Sequence, residues 1–325
     1  MINMIITKTP YRISFFGGGS DYPSWYNYFP GLVLSATINK YLYISIRKLP
    51  NFFNHKYRIV WSKIENVKTI NQINHKVVRE LLKFYNTKDG LEIHYDGDLP
   101  ARSGMGSSSA FVVGSIKAIN AFNNKSLSKY DLSKKSIEFE QNILKENVGS
   151  QDQIATTYGG VNRIDFNKRE IKIKGLKKNL EKLENNLALI YTNISRTAHE
   201  IADTFINKLV NDKKSYIDEI ISTAKEAEKN LNNGNLDEFG ELLGHSWKLK
   251  KNLSNKISNN KIDELYNLAI KNGALGGKIL GAGGGGFLLL YIKKNDKKKF
   301  LKKYKKIIEV PFKFSFEGSK LILNT

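Results

Sequence analysis

The residues best suited to chemistry gather in three glycine clusters, which hold ten of the chain's 25 glycines: Gly17–Gly19, Gly104 with Gly106, and Gly281 with Gly283–Gly286. Glycine weakens regular structure, so three clusters at strand or helix ends need a reason beyond turning the chain. The middle one, Pro100-Ala-Arg-Ser-Gly-Met-Gly-Ser-Ser-Ser-Ala110, opens a segment of helical apolar spacing. Backbone N–H groups at a helix start attract anions, and glycines let the backbone approach phosphate oxygens. The hydroxyls of Ser107, Ser108 and Ser109 suit phosphate or Mg²⁺. The Gly-Lys-Ser/Thr ending of a Walker A loop is missing. The plain alternative is a serine-capped helix after a flexible turn. In the first cluster Arg12 and Asp21 flank the glycines. The guanidinium can grip a carboxylate or phosphate with two hydrogen bonds, and the aspartate can accept from sugar hydroxyls. The last cluster, Lys278-Ile-Leu-Gly-Ala-Gly-Gly-Gly-Gly-Phe287, suits close approach of a second backbone or a ligand, or a tight joint between domains.

The elements that must position these loops follow from hydrophobic spacing. Ile5–Ile13 reads as a strand running into the first cluster, Leu32–Leu49 as strand pairs, and Leu91–Tyr95 as an alternating strand before the second. Ala110–Phe122 reads as a helix capped by the serines, and Leu132–Lys145 as a helix with Ser128 as cap. Asn147–Gly160 holds a loop, with room for a short helix, closed by Gly159-Gly160. Ile171–Ile173 and Leu187–Tyr191 read as strands. Thr197–Asn211, Lys214–Leu231, Leu236–Leu253 and Ile262–Asn272 read as helices, and Phe312–Phe316 and Leu321–Leu323 as terminal strands. No sustained βαβα alternation is present. The fold class is α+β in two domains, with a boundary near 175–186.

The chain has 325 residues, enough for two domains. With 26% charged and 41% hydrophobic residues it is neither disordered nor fibrous. The absence of cysteine excludes disulfide scaffolds, thiolate metal sites and a thiol nucleophile. The five histidines are scattered, with no pair at metal-ligand spacing, so a Cys- or His-based metal site is not expected and oxygen-ligated Mg²⁺ stays open. The net charge of +21 is mostly lysine, in a chain also rich in asparagine and isoleucine. That is a compositional habit of AT-rich genomes, so no specific nucleic-acid partner is expected. The dense run Lys293–Lys306 carries Phe300, Leu301, Tyr304, Ile307 and Ile308 at spacing for a helix with one buried stripe. A basic surface still favours anionic substrates. No secretory signal or membrane-length apolar run is apparent, so a cytoplasmic protein without a membrane partner is expected.

The three clusters, in this order and spacing, resemble the kinase superfamily named for galactokinase, homoserine kinase, mevalonate kinase and phosphomevalonate kinase (GHMP), over nearly the whole chain. The middle loop is similar to the family's Pro-x-x-x-Gly-Leu-Gly-Ser-Ser-x-Ala, with Met105 replacing leucine, and the last to its Gly-Ala-Gly-Gly-Gly-Gly. Galactokinases carry Gly-Glu-His-Thr-Asp-Tyr after the arginine, which argues against galactose here. The string Arg12-Ile-Ser-Phe-Phe-Gly-Gly-Gly-Ser-Asp-Tyr-Pro23 most resembles the D-glycero-D-manno-heptose 7-phosphate kinase branch of surface-glycan pathways, such as lipopolysaccharide or capsule, with fucokinases as nearer cousins than galactokinases.

The resemblance implies a two-domain GHMP-kinase fold. Residues 1–180 would form a ribosomal-protein-S5-domain-2-like nucleotide and substrate domain, and residues 181–325 a ferredoxin-like α/β domain. It implies an ATP- and Mg²⁺-dependent anomeric sugar kinase, a monomer or homodimer acting on a small sugar phosphate. The phosphate cradle would be Gly104, Met105, Gly106, Ser107, Ser108 and Ser109. Ser108 and Glu140 would reach the metal, with Glu138 the near alternative to Glu140. Asp152, in Gly149-Ser-Gln-Asp-Gln153, would be the catalytic base, with Arg12 beside it. Gly18, Gly19, Ser20, Asp21 and Tyr22 would line the sugar pocket, and Gly283 and Gly284 would close on substrate. Arg196 would hold the sugar's own phosphate, with Lys278 and Arg102 as further candidates. Other readings are a fucose or N-acetylhexosamine kinase and a non-catalytic sensor on the same fold.

Overall fold

The computed structural model describes residues 4–194, 204, 206, 209–303 and 308–324. In chain order the elements are β1 (Met4–Phe16), α1 (Pro23–Tyr26), β2 (Gly31–Lys48), β3 (Tyr57–Val60), β4 (Ile64–Val67), α2 (Lys76–Phe84), β5 (Leu91–Gly97), α3 (Ser107–Phe122), α4 (Lys129–Glu138), α5 (Gln151–Tyr158), β6 (Val161–Phe166), β7 (Ile171–Gly175), α6 (Leu180–Asn185) and β8 (Leu187–Tyr191). There follow α7 (Lys214–Asn233), α8 (Leu236–Lys251), α9 (Asn260–Lys271), β9 (Ala274–Ile279), β10 (Phe287–Ile292), α10 (Lys294–Lys303), β11 (Ile308–Glu309) and β12 (Lys320–Asn324).

Two sheets organise the described chain. The first runs β12-β1-β2-β5-β3-β4, with β6 also on β2 and β7 beyond it; the second runs β11-β8-β10-β9. Every pairing is antiparallel except β3 with β5. This is the α+β class expected. One apolar core joins the lobes: Phe15 and Phe16 of β1 pack edge-on against Phe239 of α8, and Leu187, Leu189 and Tyr291 belong to the same buried cluster. Burial of that much aliphatic and aromatic surface is the main term holding the lobes together.

Several elements differ from the sequence reading. Leu32–Leu49 is one strand rather than a pair. The first half of β2 pairs with β6 and the second with β5, so a single long strand serves two partners. The terminal strand β12 returns to pair with β1, which places residues 320–324 in the first sheet although they follow the second in sequence. Phe312–Phe316 makes only an isolated bridge, Phe314 to Ile38. In the lysine run Phe300 is buried in α10 as expected, but Ile308 is 57% exposed on β11. Tyr304, Ile307, Arg196 and most of 197–211 lie outside the described residues.

Three local features matter for the site. Gly106, at φ 75°, occupies the N-cap position of α3, and no serine side chain caps the helix. The serines instead form its first turn, because only the left-handed glycine can bend the chain into the helix there. The 16-residue helix is buried along most of its length, so its N-terminus is rigidly placed. Ser128 caps α4 through Asp131 N, as expected, but that helix passes at Phe139–Ile143 into a π-helical turn. One extra residue per turn rotates the side chains, a device frequent at functional sites. Asp152 lies on the first turn of α5 rather than in a loop.

Candidate active site

The middle glycine loop is built against β1. Arg12 N–H donates to Met105 O at 3.0 Å and Arg12 Nη1 to Gly104 O at 2.6 Å. Met105 is fully buried and anchors the loop. Ser108 is exposed at the start of α3, where the first-turn N–H groups have no intrahelical partner. Ser109 points inward and donates to Glu140 Oε2 at 2.8 Å. Ser109 therefore supports Glu140 rather than facing the cradle, a correction to its expected role.

The same arginine reaches Asp152. Arg12 Nε and Nη2 donate to Asp152 Oδ1 and Oδ2 at 2.7 and 2.6 Å, a two-bonded clamp with side-chain exposures of 5% for the arginine and 21% for the aspartate. One guanidinium thus joins the glycine loop to the carboxylate. Such planar matching fixes orientation as well as charge. Each carboxylate oxygen keeps a second lone-pair direction for a substrate hydroxyl.

Two glutamines flank Asp152, and each is held by a buried carboxylate. Gln153 Nε2 donates to Glu140 Oε2, and Gln151 Nε2 to Asp21 Oδ2 at 2.9 Å. Glu140, in the π-helical turn, is fully buried, while Glu138, two residues earlier and on the opposite side of the helix, is exposed. Glu138 is thereby removed from the site. Burial raises the Glu140 carboxyl to about 8. Among the described residues its Oε1 has no hydrogen-bond partner, and neither have the Oε1 atoms of Gln151 and Gln153. The sequence reading missed both glutamines. The signal was the Gln-Asp-Gln repeat, whose amides supply the donors that buried carboxylates require.

The first glycine loop departs from expectation. Asp21 is 1% exposed; its carboxylate accepts from Gly19 N at 3.0 Å and from the backbone and side chain of Gln151. Burial raises its carboxyl above the usual range. Asp21 thus holds protein donors where sugar hydroxyls were expected. Ser20 Oγ is buried between Gly17 O, Leu32 O and Leu32 N, so it ties the loop together and lines no pocket. Tyr22 is half-buried against the core of the second sheet, and Gly19 abuts Ile217 and Leu253. Gly18 is the loop residue left partly open.

The last glycine loop faces protein on most sides. Gly284 N–H donates to Ile257 O at 2.7 Å, Gly283 packs on the same residue, and Gly286 lies flush on the Ser103 carbonyl of the middle loop. Gly283 and Gly284, expected at substrate, therefore have backbone partners of their own. Lys278 is buried and donates to Phe15 O at 2.7 Å, pinning β9 to β1 rather than offering a surface cation. Desolvation, with the Arg12 charge adding, brings its ammonium from 10.5 down to about 7. Between those values the unfolded chain holds a proton that the folded chain lacks. Stability therefore rises with pH across that window, by up to roughly 1.4 kcal/mol per unit from this group, and the burden is complete below pH 7. Urea midpoints at pH 6.5, 8 and 9.5 should show Lys278→Met gaining on the wild type most at the lowest pH. A gap independent of pH would contradict this account.

Among the described residues no three His, Asp or Glu side chains form a metal cluster, and no helix is long and apolar enough to cross a membrane. Two surface cavities of about 440 and 430 Å³ lie elsewhere, at Lys177–Lys182 with Phe316 and around Lys56, Lys68 and Lys83.

Residues 71–160 match the family model for the GHMP kinase N-terminal domain, and residues 227–308 that for the C-terminal domain. A D-glycero-alpha-D-manno-heptose 7-phosphate kinase of Campylobacter jejuni is 32% identical over 86% of each chain. A bifunctional fucokinase/GDP-fucose pyrophosphorylase of Arabidopsis thaliana is 25% identical over 85% of this chain and 28% of its own. A solved D-glycero-D-manno-heptose 1-phosphate kinase of Bacteroides thetaiotaomicron superposes with a TM-score of 0.78 over 98% of both chains at 24% identity. With both family domains in order and an anion-ready helix start clamped to a carboxylate, the chain belongs to the GHMP kinases and is an ATP-dependent phosphotransferase.

Proposed function

We propose that this sugar kinase phosphorylates D-glycero-α-D-manno-heptose 7-phosphate at O1, giving the 1,7-bisphosphate. The observation that carries the reading is the clamp of Arg12 on Asp152, set between the middle glycine loop and the first. The 32% identity to the Campylobacter heptose 7-phosphate kinase supports the acceptor, and the Arabidopsis relative supports fucose as the second reading.

In this account the N–H groups of the loop at Gly104–Ser108 hold the nucleotide phosphates. The anomeric oxygen attacks the γ-phosphorus, the bond to the bridging oxygen breaks, and ADP departs. Asp152 accepts the hydroxyl proton, and Arg12 holds that carboxylate in place. Arg196, outside the described residues, is proposed for the 7-phosphate.

The residues present fit a Mg²⁺ ion. Glu140 Oε1 is a buried oxygen lacking a partner among the described residues, and Ser108 is exposed at the start of α3 beside Ser109, which donates to Glu140. Mg²⁺ characteristically uses one or two such ligands with phosphates and waters. When bound it would neutralise the charge of the transferring phosphoryl group. Glu140→Gln should raise the Mg²⁺ concentration for half-maximal rate by about tenfold or more, the scale of losing even an outer-shell partner. An unchanged Mg²⁺ titration would remove Glu140 from that role.

Phosphorylation at O1 destroys the free anomeric centre, so the product should lose reducing-sugar reactivity in step with ADP release. ADP formation with the reducing end intact would place the phosphate elsewhere.

A further inference from the structure

Gln151 is 8% exposed, and its two amide ends are in unlike circumstances. The Nε2 end donates to Asp21 Oδ2, an oxygen that also faces the Gln151 backbone N–H. An oxygen accepting from N–H groups selects the amine end of the amide, which turns Oε1 the other way. That oxygen is buried and has no partner among the described residues. A buried acceptor without a donor is an unfavourable arrangement that a fold retains where a ligand completes it.

A second observation points to where the ligand sits. Gly18 faces Gln151, and a Cβ there would meet only ordinary contacts, Gln151 Nε2 at 3.8 Å and Ser14 Oγ at 3.9 Å. Unlike Gly17 and Gly19, Gly18 does not have a positive φ. Nothing in the protein's own packing requires glycine at 18, so its missing side chain leaves room beside the Gln151 amide, nearer Nε2 than Oε1. The neighbouring residue is Asp152, on the same first turn of α5.

We propose that Gln151 reads the sugar: its Oε1, oriented by Asp21 through the amide, accepts a hydrogen bond from an acceptor hydroxyl bound beside Asp152, with Gly18 leaving the amide's other end uncrowded. Asp21 then acts on the substrate through Gln151 instead of touching it. The proposal rests on the reading that a sugar is phosphorylated at Asp152, but not on which sugar. Rejecting a substrate that lacks the matching hydroxyl is what a site with a buried polar partner does well, because the partner is then left unpaired.

The test compares wild type with Gln151→Met, a side chain of similar length without the amide. The acceptors are D-glycero-D-manno-heptose 7-phosphate and its 2-, 3- and 4-deoxy forms. If wild type turns over only a free sugar, that sugar and its deoxy forms replace them, which separates failure of this proposal from failure of the heptose assignment. The variant should raise KM for the sugar about tenfold while KM for ATP stays within about twofold, the scale of one hydrogen bond. One deoxy analogue should cost wild type about the same factor and the variant nothing further. Gln151→Asn keeps the amide but withdraws its oxygen by about one bond length, so it should lose the same discrimination. It serves if the methionine variant does not fold. Equal rises in both KM values, a variant that discriminates the analogues as wild type does, or a wild type indifferent to all three would each overturn the proposal.

Discussion

Asp152→Asn should lower turnover by about 10² to 10⁴, the usual contribution of a positioned acid or base, while the affinity for ATP changes by no more than about twofold. The asymmetry follows from the geometry. The nucleotide loop reaches Arg12 through Gly104 O and Met105 O, and neither bond involves the carboxylate. The aspartate faces the same guanidinium with both oxygens. Asparagine keeps one acceptor for Arg12 and presents an N–H group to the other donor. The variant should therefore also lose about 1–3 kcal/mol of stability from the mismatched donors. Equilibrium nucleotide binding, single-turnover phosphoryl transfer and urea unfolding separate these effects. Wild-type turnover in the variant would end the assignment of Asp152 as base.

A change in the last glycine loop should be nearly as damaging without touching substrate. Gly286 has φ 89°, and a Cβ there would overlap the Ser103 carbonyl. Its N–H donates to Ile194 O, and its own carbonyl accepts from Thr192 N–H, so the backbone cannot simply move aside. Gly286→Ala should cost about 2–4 kcal/mol of stability. It should also lower kcat/KM by roughly 10², because displacing Ser103 shifts the phosphate loop and misplacement on the order of 1 Å has that effect. Gly273→Ala is the control. Gly273 has φ 103°, but a Cβ there would meet no atom within 4 Å, so it carries the left-handed strain without the collision. It should lose about 1–2 kcal/mol and keep its kinetics. Equal kinetic loss in the two variants would show strain, rather than contact between the loops, to be responsible.

What could be read from the sequence was what glycine and helix spacing encode. The left-handed Gly104 and Gly106, the helix they open and the cap at Ser128 all follow from residue type. What could not be read depends on partners distant in the chain. Glu138 and Glu140 lie on opposite sides of the helix, and which side faces the site is set by the distant partners Ser109 and Gln153. Asp21 looked like a sugar ligand because Gln151, which donates to it, lies far along the chain at the start of α5. Lys278 stood as a candidate for the sugar's phosphate until β9 brought it beneath Phe15 O. The short strands β3, β4 and β6 escaped notice because four to six residues at a sheet edge or interface carry little periodicity. The division of Leu32–Leu49 failed because β2 continues through a register shift against β1 opposite Pro10–Arg12 and so serves two different partners.

The central claim is the acceptor. The most direct measurement is ADP release with Mg·ATP, comparing D-glycero-D-manno-heptose 7-phosphate with unphosphorylated heptose, fucose, galactose and mevalonate at equal concentration. Turnover is expected on the heptose phosphate, with at most trace rates on the others. Turnover on unphosphorylated heptose or fucose equal to or above that on the heptose phosphate would contradict the claim.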